Sequence, residues 1–199
     1  MAALSRFISR LGEKGLPFFK LLKASKRFSW SEEVDSAFEH LKVFLTKPSI
    51  MMAPRPDETL LIYIAATSRV VSIAIVVERE EAGHAHKVQR PVYFISEVLN
   101  EPKTRYPQVQ KLLYAILITS RKLRHYFEYY KIVVVTEFPL GDILRNKEAN
   151  GHIIKWAIEL GTYSIEFRRR PTIKSQALAD FIVEWTEIQE PIATAYPKH

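Results

Sequence analysis

Residues 131–137, KIVVVTE, form an apolar run without alternation, and that run restricts the fold more than any other feature of the chain. A strand with one wet face alternates, whereas a strand apolar at successive positions is covered on both faces and lies centrally, parallel to a neighbour. A long helix precedes it, opened by Pro107 at a favourable first-turn position. Val109, Leu112, Leu113, Ile116, Leu123 and Phe127 line one face of that helix at 100° per residue. Lys111, Arg121, Lys122 and His125 fall on the opposite side, which predicts a basic solvent face.

The rest of the order follows from similar signals. Residues 4–25 alternate apolar and basic side chains around Gly12, Gly15 and Pro17, as two short helices with a break would. Ser29 and Glu32 have the spacing of a capping box, and Val34, Phe38, Leu41 and Leu45 then recur at helical spacing up to Pro48. Residues 53–57, APRPD, make a stiff connector. LLIYIA (60–65) and SIAIVVE (72–78) read as a hairpin, a polar loop turns at Gly83, and PVYFISE (91–97) reads as a third strand. After the fourth strand come two short helices (140–146 and 152–160) and a fifth strand turning Tyr163, Ile165 and Phe167 inward. A closing helix (175–185) and a linker-like tail complete the chain. This order predicts a mixed α/β fold with a five-stranded sheet flanked by helices.

Composition excludes several chemistries. With no cysteine, disulfides, thiolate catalysis and cysteine-ligated metal sites are ruled out, and a reducing compartment fits. No apolar run reaches the roughly 18–20 residues of a membrane span, and the N-terminus lacks the pattern of a secretory signal, so the expectation is an intracellular protein without a membrane partner. The formal net charge of +7 favours polyanionic partners. Arg6, Arg10, Lys14, Lys20, Lys23, Lys26 and Arg27 stand against Glu13 alone in the first 30 residues, so much of the excess sits in an N-terminal arm. There is no phosphate-binding glycine loop and no G-x-S-x-G turn. His84 and His86 share a loop without a third ligand, which is a poor zinc site.

Several stretches in order resemble the connection and ribonuclease H region of gypsy-type long-terminal-repeat retrotransposon polymerases, plant elements especially. FSWSEEVDSAFEHLKVFLTKPSIMMAP is similar to the helix joining the polymerase thumb to the ribonuclease H-like domain. RPVYFISEVLNEPKTRYPQVQKLLYAILITSRKLRHYF resembles the family's third strand, loop and first long helix. VVVTEFPL and KSQALADFIVEW resemble its fourth strand and closing helix. The resemblance implies a basic segment like the end of the thumb at 1–27, a connecting helix and linker at 28–55, a ribonuclease H-like domain at 56–186 and a tail at 187–199.

Ribonuclease H chemistry is two-metal hydrolysis of a phosphodiester, and Mg²⁺ demands hard anionic oxygen ligands. The resemblance implies an Asp on the first strand, a Glu on the first long helix, an Asp after the fourth strand and an Asp on the closing helix. The corresponding positions here are Ala65, Gln110, Glu137 and Asp180. Two of the four carboxylates are therefore absent, and the expectation is a degenerate domain that holds no metal or other cofactor and does not cleave. Glu137 and Asp180 have plain structural readings, as a solvated strand-end residue and as a helix residue paired with Lys174 or Arg170.

What remains is binding. Arg6, Arg10, Lys20 and Lys23 on the arm, Lys111, Arg121, Lys122 and Arg124 on the long helix, and Arg168, Arg169 and Arg170 after the fifth strand are candidate contacts for a nucleic-acid backbone. Tyr126, Tyr129 and Tyr130 are candidates for base stacking, weighed against core packing. The leading reading is a connection domain that positions an RNA–DNA hybrid between polymerase and downstream nuclease modules of one polyprotein. The competing ones are an endonuclease with an altered metal site built on Glu137 and Asp180, and a protein-interaction or functionless remnant of a retroelement.

Overall fold

A computed structural model of the protein describes residues 5–23, 29–46, 51–84, 87–146 and 151–169. The chain enters through α1 (Leu11–Lys14), α2 (Leu16–Lys23) and α3 (Glu32–Thr46), and then forms β1 (Thr59–Ala66), β2 (Val70–Arg79) and β3 (Val88–Val98). A turn of helix, α4 (Glu101–Thr104), leads to α5 (Gln108–Lys122) and α6 (Arg124–Tyr129). The described chain ends with β4 (Lys131–Val135), α7 (Leu140–Arg145), α8 (Gly151–Leu160) and β5 (Ile165–Arg168). The predicted closing helix and tail lie outside the described residues.

The five strands form one sheet in the order β3-β2-β1-β4-β5. β1, β2 and β3 make an antiparallel meander, while β4 runs parallel to both β1 and β5. The unalternated KIVVV run is therefore the parallel strand it promised to be, with Ile132 to Val135 buried on both faces. The sheet is the mixed five-stranded sheet with flanking helices expected from the sequence.

Two cores lie on its two faces. One joins Leu60, Ile62, Ile64 and Ala66 of β1 to Leu112, Ala115 and Ile116 of α5 and Trp156 of α8. The other gathers Leu61, Tyr63 and Ala65 with Ala74, Val76, Phe94, Val133 and Val135. The split is the period-2 alternation of β1. Leu112 and Ile116 are completely buried, and each such side chain removed from water contributes about 1.5–3 kcal/mol.

Four local expectations change. α5 is buried all round from Gln110 to Ser120, so its predicted basic face starts only at Arg121. The reason is α8, which covers the side away from the sheet: Tyr114 and Trp156 rings lie 6.0 Å apart, and Arg121 forks onto Glu159 at 2.7 Å. The long helix also breaks at Leu123, whose φ −123°, ψ 43° re-aims Phe127 into the core against Tyr163, ring centroids 5.4 Å apart. The cap of α3 is Ser31 rather than Ser29, since the Val34 N–H donates to its Oγ at 3.4 Å. Of the predicted apolar stripe on α3 only Val34 is buried, because among the described elements α3 packs chiefly against α2.

The N-terminal stretch belongs to the sheet. Ile8 and Leu11 are buried, and the Phe94 N–H on edge strand β3 donates to the Arg6 carbonyl at 3.1 Å. The Gly12 N–H donates to Ser96 Oγ at 3.0 Å, and Ser96 in turn meets Ser72 Oγ at 3.0 Å. Covering an edge in this way removes a template for aggregation. Residues 6–12 of the expected basic segment thus pack on β3. Among the described residues no helix is long and apolar enough to cross a membrane.

Candidate nucleic-acid interface and degenerate metal site

β1, β4 and the start of α5 meet at one end of the sheet. The β1–β4 register ends with Tyr63 paired to Val135, and Ala65 and Glu137 each follow two residues further along the chain. Gln108 donates from Nε2 to the Ala66 carbonyl at 2.8 Å, and Lys111 donates from Nζ to the Ser68 carbonyl at 3.2 Å. The first turn of α5 is thereby pinned to the β1–β2 turn.

Side-chain direction then separates the positions matched from sequence. Ala65 points into the core on the far face from α5, where it packs with Tyr63 and Val135. Ala66 is the strand position that shares a face with α5. On the helix, Gln110 falls on the row of Tyr114, Leu117 and Arg121, whose Tyr114 and Arg121 meet α8. The row facing the end of β1 carries Gln108, Lys111 and Leu112 instead. Ala65 and Gln110 come to the same end of the sheet but do not face each other. A one-residue offset on a strand flips the side chain to the other face, and sequence matching alone does not resolve it. Glu137 is exposed just past β4, and Asp180 lies outside the described residues.

The donor set at this end does not suit a divalent ion. Neither β1 (TLLIYIAA) nor α5 (QVQKLLYAILITSRK) contains an acidic residue at any position, so no shift of register supplies a ligand. What faces the end of β1 is an amide and an ammonium, both acting as hydrogen-bond donors. Burial lowers the Lys111 pKa, and its carbonyl partner replaces part of the water it has lost. Among the described residues no three His, Asp or Glu side chains are grouped to share an ion.

The candidate phosphate contacts divide sharply. Arg10 is buried, adopts a left-handed backbone (φ 55°) and is ion-paired with Glu13. Lys111 is buried on Ser68. As placed, neither presents its cation to a ligand, which corrects their assignment as contacts. Lys20 pairs with Glu33, Arg121 with Glu159, Lys122 with Glu97, Arg124 with Glu128 and Arg168 with Glu166, all at the surface. Arg6 is exposed, with its guanidinium 5.2 Å from the Tyr93 ring centre. Lys23 and Arg169 are exposed, and no ionic partner is present for either among the described residues. Arg170 lies outside them. Tyr129 is 82% exposed, whereas Tyr126 and Tyr130 pack against the larger core.

Sequence reasoning missed Arg145. It lines an open cleft of about 390 Å³ at the ends of β4 and β5, together with Thr136, Glu137, Phe167, Arg168 and Arg169. Only its place in the last turn of a short helix marks it in the sequence.

A helix-flanked sheet in the order β3-β2-β1-β4-β5, with strands and helix meeting at one end, defines the ribonuclease H-like class. Solved structures agree in fold. The foamy viral protease–reverse transcriptase in complex with double-stranded DNA is similar with a TM-score of 0.69 and 16% identity, over 87% of this chain and 31% of that one. The same protein in complex with RNA/DNA hybrid is similar with a TM-score of 0.67 and 15% identity, over 98% of this chain and 26% of that one. The chain belongs to the family of RNase H-like domains found in reverse transcriptase, whose model matches residues 30–134.

Two curated relatives place that family in mobile elements. The Pol polyprotein from transposon 297 of Drosophila melanogaster is 23% identical over 163 residues, covering 81% of this chain. The transposon Tf2-3 polyprotein of Schizosaccharomyces pombe is 24% identical over 194 residues, covering 95% of this chain. The chain spans 14% of the length of each. It is a reverse-transcriptase RNase H-like domain of the kind carried in retrotransposon and retroviral polyproteins.

Proposed function

We propose that this is a non-catalytic RNase H-like connection domain of a gypsy-type retroelement polyprotein, resembling those of plants, which holds an RNA–DNA hybrid without cleaving it. One observation carries the reading: the strand and the helix that should each supply a metal-bridging carboxylate contain no acidic residue at all. Two-metal hydrolysis depends on anionic oxygens held around both ions, and one exposed Glu137 does not replace them. In this reading the domain takes up no Mg²⁺ and works by contact with the nucleic-acid backbone. Polymerase and downstream nuclease modules of the same polyprotein are its neighbours. The similar foamy viral proteins are in complex with double-stranded DNA and with RNA/DNA hybrid, and the basic charge of this chain suits the same class of ligand.

The test is an RNA–DNA hybrid carrying a labelled RNA strand, incubated with the purified chain and Mg²⁺ or Mn²⁺. No cleavage is expected, while fluorescence anisotropy at low salt should show binding that weakens steeply as salt rises. Metal-dependent cleavage that disappears in Asp180→Asn would overturn the non-catalytic reading. Absence of binding at low salt would overturn the nucleic-acid role.

A further inference from the structure

The cleft between α7 and the end of β5 contains the exposed carboxylate left at the degenerate site, Glu137, and beside it stand arginines. Arg145 donates from Nε to the Gly141 carbonyl at 3.0 Å, which folds it back over its own helix. Gly141 makes that fold possible, since a Cβ there would lie 3.0 Å from Arg145 Nη2 and 3.1 Å from Phe167 Cδ2. Arg145 lines the cleft, and its Nη2 lies 3.7 Å from Asp142 Oδ1. On the opposite wall the Thr136 N–H donates to the Arg168 carbonyl at 3.0 Å, extending the β4–β5 pairing to the end of the strand. That bond fixes the backbone from which Arg169 projects. Arg168 itself is taken up by Glu166 at 2.9 Å.

We propose that this cleft is a metal-free phosphodiester site, in which Arg145 and Arg169 grip a backbone phosphate of the bound nucleic acid. An active two-metal site presents positive charge to the phosphate through its ions, which need a cradle of acids. Here the acids of β1 and α5 are gone, and guanidinium groups at the same end of the sheet supply positive charge directly. A guanidinium fork matches two phosphate oxygens at once and stays charged at every physiological pH. Glu137, in the same cleft, opposes the ligand and limits its affinity.

The inference rests on the proposed nucleic-acid role, and the experiment separates the two. A short fluorescein-labelled RNA–DNA hybrid is titrated with the full chain in EDTA over a range of salt. Arg145→Gln with Arg169→Gln should weaken binding about five- to tenfold at low salt and lower the salt slope by about one, for the one phosphate contact removed. Glu137→Gln should tighten binding. Lys87→Gln with Lys155→Gln makes the same change in net charge on exposed residues away from the cleft, and should alter binding by less than twofold. If the parent binds and the two double variants weaken it equally, the cleft assignment is wrong although the binding role survives. If the parent binds only when Mg²⁺ is restored, the metal-free character is wrong. If the parent does not bind at all, both proposals fail together.

Discussion

Ala65 and Ala66 are consecutive on β1 and pack into different cores, Ala66 under α5 and Ala65 on the far face beside Tyr63 and Val135. The pair decides which substitution could rebuild a metal site. A carboxylate at 66 would face the helix row of Gln108, and one at 65 would enter the opposite cluster, beside Tyr63 and Val135 and across from Ser72.

Ala66→Asp with Gln108→Glu should therefore gain a response to Mn²⁺ that Ala65→Asp with Gln110→Glu lacks. Both substituted strand positions are buried, so each double variant should lose about 2–4 kcal/mol of stability without metal. Carboxylates brought together repel, which raises at least one pKa, and a divalent ion relieves that repulsion. Ion binding to the folded state then raises the melting temperature by mass action. The measurement is a thermal melt of both variants with and without Mn²⁺. Equal metal responses in two folded proteins would show that the face assignment is wrong.

Acid stability should depend on Glu58. Arg79 donates to it from two nitrogens at 2.7 and 2.8 Å, and the Arg55 N–H adds a third bond at 2.7 Å. The hydrogen bond from Arg79, ahead of the other causes, holds the Glu58 pKa down at about 2. A lowered folded pKa stabilises above the ordinary carboxylate value, and that contribution is lost as pH falls from there through about 2. Glu58→Gln should cost about 1–3 kcal/mol at neutral pH and flatten this acid limb. Urea titrations of parent and variant at stepped pH check the point, and parallel curves below about pH 5 would contradict it.

Tyr114 ties α5 to the end of β3. It donates to Glu97 at 2.6 Å and accepts from Lys103 at 2.6 Å. Burial, followed by the Glu97 bond, pushes its pKa up. A raised folded pKa stabilises below the ordinary tyrosine value, and that support is lost as pH rises beyond it. Tyr114→Phe should cost about 1–3 kcal/mol and make the stability less sensitive to alkali. Chemical denaturation from neutral pH upward reads both effects, and an unchanged alkaline slope in the variant would count against the assignment.

The N-terminal stretch should respond to one methyl group. A Cβ at Gly12 would lie 2.7 Å from Ser96 Oγ and 3.2 Å from Val70 Cγ1. Gly12→Ala is expected to cost about 1–3 kcal/mol and to expose residues 5–23 to proteases. Ser96→Ala removes the closest atom, so the double variant should recover part of that loss. A proteolysis time course with melts of the single and double variants tests this, and strictly additive costs would show that the two side chains do not meet.

Much of the architecture was legible in the chain because strand and helix periods are local properties. The bare apolar run at 131–137 marked a central parallel strand, and the Ile/Val-rich runs marked the meander. The absence of acids from β1 and α5 was equally readable, since it holds whatever the register. Sequence could not assign faces. Ala65 or Ala66, and Gln110 or Gln108, differ only in direction, and direction is set by the alternation of a strand whose two faces are both apolar. Nor could it tell that α8 covers the outer side of α5, that Lys111 is buried against the Ser68 carbonyl, or that Arg10 turns inward to Glu13. Charge and spacing specify a residue's chemistry, while burial and partners depend on segments far away in the chain. Arg145 joins Arg168 and Arg169 only because α7 and β5 close around one cleft, and that approach exists nowhere but in the tertiary structure.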